Sequence, residues 1–281
     1  MNLVVGSGGF LGRRFAESLR HRQGGVIAAS HQEKSDLHLD LREDPKNLDI
    51  PRGIRYALML SSVTSVDDCF NEPERTHTLN VVNTIKLATR FQECGVVPVF
   101  FSSDLVFRGD KGNYIEEDDT EPLTEYGKQK KIVEDMLVAE IPESIIIRLG
   151  KVYTLEDDDT SPVHGLIESL SCGKRVRAAT DQVLTPTLAG EIVDSVIDLM
   201  SRGARGIYHL SPGRQGMVSR YEMAKYIADA VGADSGLIEA CSIDDFSFSE
   251  PRPKNCSLNG EKFLKTTNIR LTPFAEVIGQ L

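Results

Sequence analysis

The 281-residue chain has no tryptophan, and its five cysteines, Cys69, Cys94, Cys172, Cys241 and Cys256, are odd in number, far apart and never spaced as Cys-x-x-Cys. That pattern suggests neither a disulfide framework nor a thiolate zinc site, and it fits a reducing compartment. No apolar run approaches the roughly 20 residues that a membrane-spanning helix needs. A glycine cluster begins at Gly6, where a secretory leader would carry its apolar stretch. The chain is therefore expected in the cytoplasm, without a membrane partner. Positive charge is also short, with 32 Lys and Arg against 42 Asp and Glu and a formal net charge of -10. This is the wrong sign for holding nucleic acid by non-specific electrostatics, so no nucleic-acid partner is expected. What the chain has is a globular composition, 40% apolar and 26% charged, with 23 glycines.

Short apolar runs alternate with amphipathic stretches over the first 150 residues. Leu3 to Val5, Val26 to Ala29, Tyr56 to Leu60, Val96 to Phe101 and Ile145 to Ile147 read as buried strands without polar alternation. Phe10 to Arg20, Thr76 to Cys94 and Glu125 to Ala139 read as helices, with apolar residues three and four apart. The fold class that follows is α/β, a Rossmann-type doubly wound parallel sheet with a smaller C-terminal lobe. Residues 1–150 form the nucleotide-binding domain, 187–211 return to it, and 151–186 with 212–281 make the substrate-binding lobe. The acidic clusters Glu116 to Asp119 and Glu156 to Asp159 read as solvated loops, and neither is taken as a metal site.

Residues 3 to 12 read LVVGSGGFLG, a strand running into Gly6, Gly9 and Gly12 and then a helix opening at Phe10 and Leu11. Glycines there permit a tight turn and close approach of a dinucleotide pyrophosphate, whose charge is favoured at a helix N-terminus. The second strand ends at Ser30 and His31 with no acid to accept the ribose hydroxyls, which argues for NADP over NAD and leaves NAD open. Lys34 and His31, with Arg13 or Arg14, are the candidates for the ribose phosphate.

In TEYGKQKKIVE, Tyr126 and Lys130 stand four apart on one face of a helix. An ammonium about 4 Å from a phenol favours the phenolate, so the pair suits proton transfer to a carbonyl oxygen as a hydride arrives at carbon. Ser102, Ser103 and Asp104 lie at the C-terminal edge of a strand, where open α/β sheets bind ligands. A serine hydroxyl there is expected to donate to the substrate carbonyl.

Gly6, Gly9 and Gly12, the Ser-Ser-Asp of residues 102 to 104, and Tyr126 with Lys130 occur in the order found in extended short-chain dehydrogenase/reductases, which the chain resembles. Within that superfamily, SSDLVFRG followed by YxExDxxxPLxxYGKxK is similar to the dTDP-4-dehydrorhamnose reductase family. So are DQVLTPT (181–187), GIYHLS (206–211) and EPRPKNCSLNGEKF (250–263). The resemblance implies NADPH- or NADH-dependent reduction of a nucleotide-activated 4-keto-6-deoxysugar. In it Tyr126 is the proton donor, Lys130 tunes it and binds the cofactor, and Ser103 takes the family's threonine position. It also implies that Asn80 hydrogen-bonds near the lysine and that Ser61, Ser62 and Ser102 lie beside the cofactor. Asp104 and Lys151 would face the sugar, and Arg252 with the cluster Lys174, Arg175 and Arg177 would meet the nucleotide pyrophosphate.

Two departures bear on specificity. The family's RTSWVY is RLGKVY here, which puts Lys151 where an aromatic wall is usual, and the tyrosine of STDYVF is Leu105. An epimerase keeps the same Ser103, Tyr126 and Lys130. The family is also similar to the regulatory beta subunit of methionine adenosyltransferase, which binds NADP and a partner enzyme without catalysis. Both alternatives stay open on sequence, as does the choice between monomer and homodimer.

Overall fold

The computed structural model describes residues 1–22, 25–32, 34–156 and 162–281. A seven-stranded sheet is built from β1 (Asn2–Val5), β2 (Val26–Ser30), β3 (Leu37–His38), β4 (Tyr56–Met59), β5 (Val97–Ser103), β6 (Ile145–Leu149) and β7 (Gly206–Leu210). Its order is β7-β6-β5-β4-β1-β2-β3. β1 runs parallel to β2 and β4, β2 to β3, and β4 to β5. The doubly wound α/β fold expected from the alternating pattern is therefore present, and its central strands are largely apolar because helices cover both faces. Leu3, Val4, Val5, Ala57, Leu58, Ile145, Ile146 and Ile147 have no exposed surface.

The crossovers are amphipathic helices. α1 (Phe10–Arg20) buries Phe15, Ala16 and Leu19. The stretch from Thr76 to Cys94, whose periodicity suggests one helix, is divided: after α2 (Val66–Asn71) come α3 (Pro73–His77), a π-helical segment Thr78–Asn83, and α4 (Thr84–Glu93). The wider turn absorbs one extra residue, and Asn80, Val81 and Asn83 are buried along it. Leu87, Ala88 and Phe91 of α4 then pack with Val133 and Leu137 of α5 (Glu125–Glu140) in one core.

The chain divides into two compact units, Met1–Val106 with Thr124–Arg148 and Val196–Tyr208, and Phe107–Leu123 with Leu149–Ser195 and His209–Leu281. Residues 107–123, 149–150, 187–195 and 209–211, drawn with the first part on sequence, lie in the second. Long-range bonds explain this: Tyr114 N–H donates to the Ser257 carbonyl, and His209 N–H donates to Glu116 Oε1 at 2.9 Å. Glu116 is consequently buried, not solvated, and burial raises its carboxyl above the usual range. The second acidic cluster falls mostly outside the described residues, which omit 157–159.

The second unit has its own core, in which Tyr153, Val163 and Leu170 meet Ile227, Phe274 and Ile278. Tyr153 comes from the short strand Val152–Tyr153, and the others from α6 (Pro162–Ser171), α8 (Arg220–Val231) and α10 (Phe274–Ile278), while α7 (Ala189–Ser201) and α9 (Glu261–Thr267) complete the helices. α8 is delimited locally: Ser219 and Glu222 form a reciprocal capping box, and Gly232 ends the helix in the left-handed conformation.

Phe91 is fully buried in the first core. Its replacement by alanine is expected to lower unfolding free energy by about 3–5 kcal/mol, read as a shift in urea midpoint at unchanged slope.

Candidate active site

The direction of strand order reverses between β1 and β4, and in open α/β sheets ligands bind at the carboxyl ends of strands flanking such a point. Here the two strand ends touch through backbone. Gly6 has φ +83°, and a Cβ on it would lie 2.8 Å from Ser61 N; a Cβ on Gly12 would lie 2.0 Å from the Gly6 carbonyl oxygen. The turn thus folds tightly under the first turn of α1, whose N-cap, Gly9, supplies no side-chain cap. Amides at such a helix start suit an anion, so the turn fits a dinucleotide pyrophosphate.

Beside the turn is a cavity of about 580 Å³ whose wall includes Ser7, Gly8, Arg13, Arg20, His21, Ser30, Gln32 and Lys34. His31 and Arg14 are not among its lining residues. Arg14 turns back on its own helix, donating from Nη1 to the Phe10 carbonyl at 3.0 Å and stacking 4.2 Å from the Phe10 ring. Arg20, His21 and Gln32 escaped the sequence reading, although Arg13 and Arg20 share a helical face. Asp36 is turned toward strand backbone, where Oδ2 accepts the Ala28 N–H at 2.9 Å.

At the other end of the site, the Thr124 hydroxyl accepts the Gly127 N–H at 3.1 Å and fixes the start of α5. That phase buries Tyr126, Lys130 and Glu134 as one stripe. Lys130 Nζ donates to the Phe101 carbonyl at 2.9 Å and lies 5.5 Å from the Tyr126 ring centroid. The expected lowering of the phenol is corrected here. Burial, with the charges of Asp104 and Cys69, holds Tyr126 well above its usual range, while the ammonium donates to β5. Desolvation brings Lys130 down to about 8. Glu134 does not pair with it directly; it receives Arg148 Nε at 3.1 Å and Nη2 at 2.7 Å in an ion pair only 3% exposed on each side.

Asn80 hydrogen-bonds beside the lysine, to its neighbour Gln129. Its Oδ1 accepts the Val63 N–H at 2.8 Å and the Ser62 hydroxyl at 3.0 Å. Its Nδ2 donates to the Val63 carbonyl at 2.9 Å and to Gln129 Oε1 at 2.8 Å. Gln129 in turn donates to Thr76 Oγ1 at 3.0 Å. This clamp joins the loop after β4 to α5. Gln129 and Thr76 belong to no motif, and their partner Asn80 lies in the π turn.

Ser103 is expected to donate to a carbonyl, but its hydroxyl donates to Asp104 Oδ1 at 3.0 Å and accepts the Leu105 N–H at 3.2 Å. Its proton is therefore engaged. Ser102 Oγ is buried and has no hydrogen-bond partner among the described residues.

In the second unit, Lys151 is half-buried, and its carbonyl accepts the Thr187 N–H at 2.9 Å. The Arg252 side chain is 11% exposed, 4.0 Å from Glu250, with its guanidinium 4.7 Å from the Phe248 ring centroid. Arg177 pairs with Glu239 at 3.5 Å and stacks on Phe246, while Lys174 and Arg175 are exposed.

A lysine whose folded pKa lies below its unfolded value destabilises the fold while charged. The loss is complete below about pH 8 and disappears as pH rises toward 10.5, the value in the unfolded chain. Lys130→Met is expected to stabilise the protein at pH 7 by on the order of 3 kcal/mol. Denaturation at a series of pH values should show the gain shrinking between pH 8 and 10.

Comparison with known proteins places this geometry. The chain is 27% identical to a dTDP-4-dehydrorhamnose reductase of Mycolicibacterium smegmatis, over 98% of this chain and 81% of that one. It is 27% identical to a probable low-salt glycan biosynthesis reductase of Haloferax volcanii, over 91% and 88%. The crystal structure of a Bacillus anthracis dTDP-4-dehydrorhamnose reductase in complex with NADP superposes with a TM-score of 0.88 at 20% identity, covering 100% of this chain and 98% of that one. The family model for the RmlD substrate binding domain matches residues 1–281. With both units inside that match, the protein belongs to the RmlD substrate binding domain family, that of the dTDP-4-dehydrorhamnose reductases.

Proposed function

We propose that the protein is an NADPH-dependent reductase of a nucleotide-linked 4-keto-6-deoxysugar. The observation that carries this is the pairing, in one compact unit, of a backbone-closed glycine turn at the sheet's reversal point with a buried tyrosine and lysine on α5. Bound NADPH supplies a hydride to the carbonyl carbon. Tyr126 gives its proton to the carbonyl oxygen, and its raised pKa keeps that proton in place in the resting enzyme at any physiological pH. Lys130, largely protonated at pH 7, is the candidate to steady the phenolate left behind and to meet a cofactor ribose. Asn80 holds the loop at Ser62 and Val63 against α5, so that the two sides of the site keep their spacing. Arg252, Lys151 and the exposed Lys174, Arg175 and Arg177 are the candidates in the second unit for the nucleotide and sugar.

The cofactor assignment follows from charge. Among the described residues on the wall of the cavity beside the turn, Arg13, Arg20 and Lys34 outnumber the one carboxylate, Glu17. A ribose phosphate finds donors there, whereas the end of β2 offers no acid to hold two ribose hydroxyls. The Bacillus anthracis relative carries NADP in its crystal structure.

Purified protein supplied with nucleotide-linked 4-keto-6-deoxysugars should oxidise NADPH only when a sugar is present. Tyr126→Phe should abolish turnover while NADPH affinity stays within a few fold, since the phenol acts mainly in the transition state. Comparable turnover in both proteins overturns the assignment. Lys34→Glu should raise the KM for NADPH at least tenfold and leave that for NADH little changed, and equal effects on the two cofactors count against the phosphate site.

A further inference from the structure

α5 buries Tyr126, Lys130 and Glu134 along one face, and the proposed reaction takes up only the first two. Lys130 Nζ rests on a neutral acceptor, the Phe101 carbonyl at 2.9 Å, and among the described residues no carboxylate pairs with it directly. Glu134 stands one helical turn beyond it, a spacing that brings Cβ atoms within about 5–6 Å. Its oxygens receive Arg148 Nε at 3.1 and 3.2 Å and Nη2 at 2.7 Å. A buried ion pair is a poor way to fasten a helix to a sheet, since apolar side chains of the same volume hold it as well or better. What apolar side chains cannot do is keep an ionised carboxylate in a fixed place one turn from a buried ammonium. Arginine does not give up its proton, and its planar fork fixes the orientation of the carboxylate. The other groups around the ammonium do not supply that charge. Tyr126 on α5 and Cys69 on α2 are both raised by burial and stay neutral at physiological pH. Asp67 and Asp68 of α2 are half-buried and exposed, and on α4 Lys86 pairs with Asp44 and Arg90 with Glu93. Asp104, at the end of β5, bears on Tyr126, whereas Glu134, on the lysine's own helix, is the member of the ion pair that bears on Lys130.

We propose that Glu134 is a positioning residue of the reduction: held by Arg148 one turn from Lys130, it keeps that lysine in its ammonium form and so sets the upper end of the pH range in which the enzyme works. The inference rests on the reductase reading, in which Lys130 acts as a cation, and adds to it the group that holds the charge in place. An opposite charge at such a distance favours the charged form by about one pKa unit or more. Without it, desolvation has less to oppose it, and a lysine that loses its proton at about 8 loses it nearer neutrality.

The test follows kcat/KM for NADPH, which reports the free enzyme, from about pH 6 to pH 9 with a saturating nucleotide-linked 4-keto-6-deoxysugar. Wild type should lose activity above about pH 8. Glu134→Gln should move that alkaline limb down by about one pH unit, so that it stays within about twofold of wild type at pH 6 and falls roughly five- to tenfold below it at pH 8 to 9. Glu134→Asp, which keeps the charge, should leave the limb in place. A merely structural role would lower the rates of both variants alike at every pH and move no limb. Should the uncompensated arginine keep Glu134→Gln from folding, the double variant Glu134→Gln, Arg148→Gln leaves neither buried charge of the pair behind, and its limb should also move down. A second readout needs no turnover. The stability gained by Lys130→Met in urea denaturation fades as pH rises past the folded-state pKa of the lysine, and in the Glu134→Gln or double-variant background the fade should begin about one pH unit lower than in wild type. A wild-type profile flat to pH 9, or a limb that stays in place when the carboxylate is removed, overturns the proposal. If no sugar oxidises NADPH, the reductase reading fails, and the denaturation series still decides what Glu134 does to Lys130.

Discussion

Placing the Lys130 ammonium inside the protein is the constraint around which the first unit is organised. A cation removed from water costs several kcal/mol unless neighbouring groups compensate. Lys130 has a carbonyl of β5 as hydrogen-bond acceptor and the ring of Phe100 4.8 Å away, while Glu134 lies one helical turn further along. Glu134 is no simpler to bury, and Arg148 on β6 answers it with charge-assisted bonds to both carboxylate oxygens. The charges on α5 are thus tied to two strands of the sheet, which fixes the rotation and height of the helix. Tyr126, one turn before the lysine, takes its position from that arrangement.

The second support is made of amides. Asn80 engages all of its carboxamide hydrogen-bonding atoms, and three of its bonds go to Ser62 and Val63, in the loop that follows β4. Asn80 lies in the π turn of an otherwise continuous helical stretch. Such a turn gives up regular helical bonding, and the clamp to Gln129 and Thr76 offsets that loss. The site is therefore held by charge on one side of α5 and by neutral hydrogen bonds on the other.

The alternation of strands and helices, the glycine turn and the pair on α5 were legible in the sequence, because each depends on local spacing. Tyr126 and Lys130 share a face whatever surrounds them. Less legible was everything set by residues distant in the chain. The direction in which Lys130 Nζ points depends on the Phe101 carbonyl, and the charge state of Tyr126 depends on burial and on Asp104, neither of which a Tyr-x-x-x-Lys spacing reveals. Residues 107–123 looked like a loop of the first part, yet their backbone is bonded to residues 255–259. Gln129 was passed over because it looks like any helical glutamine. Arg14 was proposed beside Arg13 because neighbours on a helix look alike in sequence, although they point about 100° apart.

The contact between Gly6 and Ser61 has an evolutionary reading. Most crowded positions drift in pairs, a larger side chain on one side being accommodated by a smaller one opposite. Here the atoms that would meet a new Cβ are backbone, with Ser61 N, Leu60 C and Ser61 Cα all within 3.1 Å, and the same holds at Gly12 against the Gly6 carbonyl. No exchange of side chains relieves a clash with main chain. These two positions are closed to compensated change, and any lineage that keeps this fold has to keep them bare, however far the walls of its substrate pocket diverge.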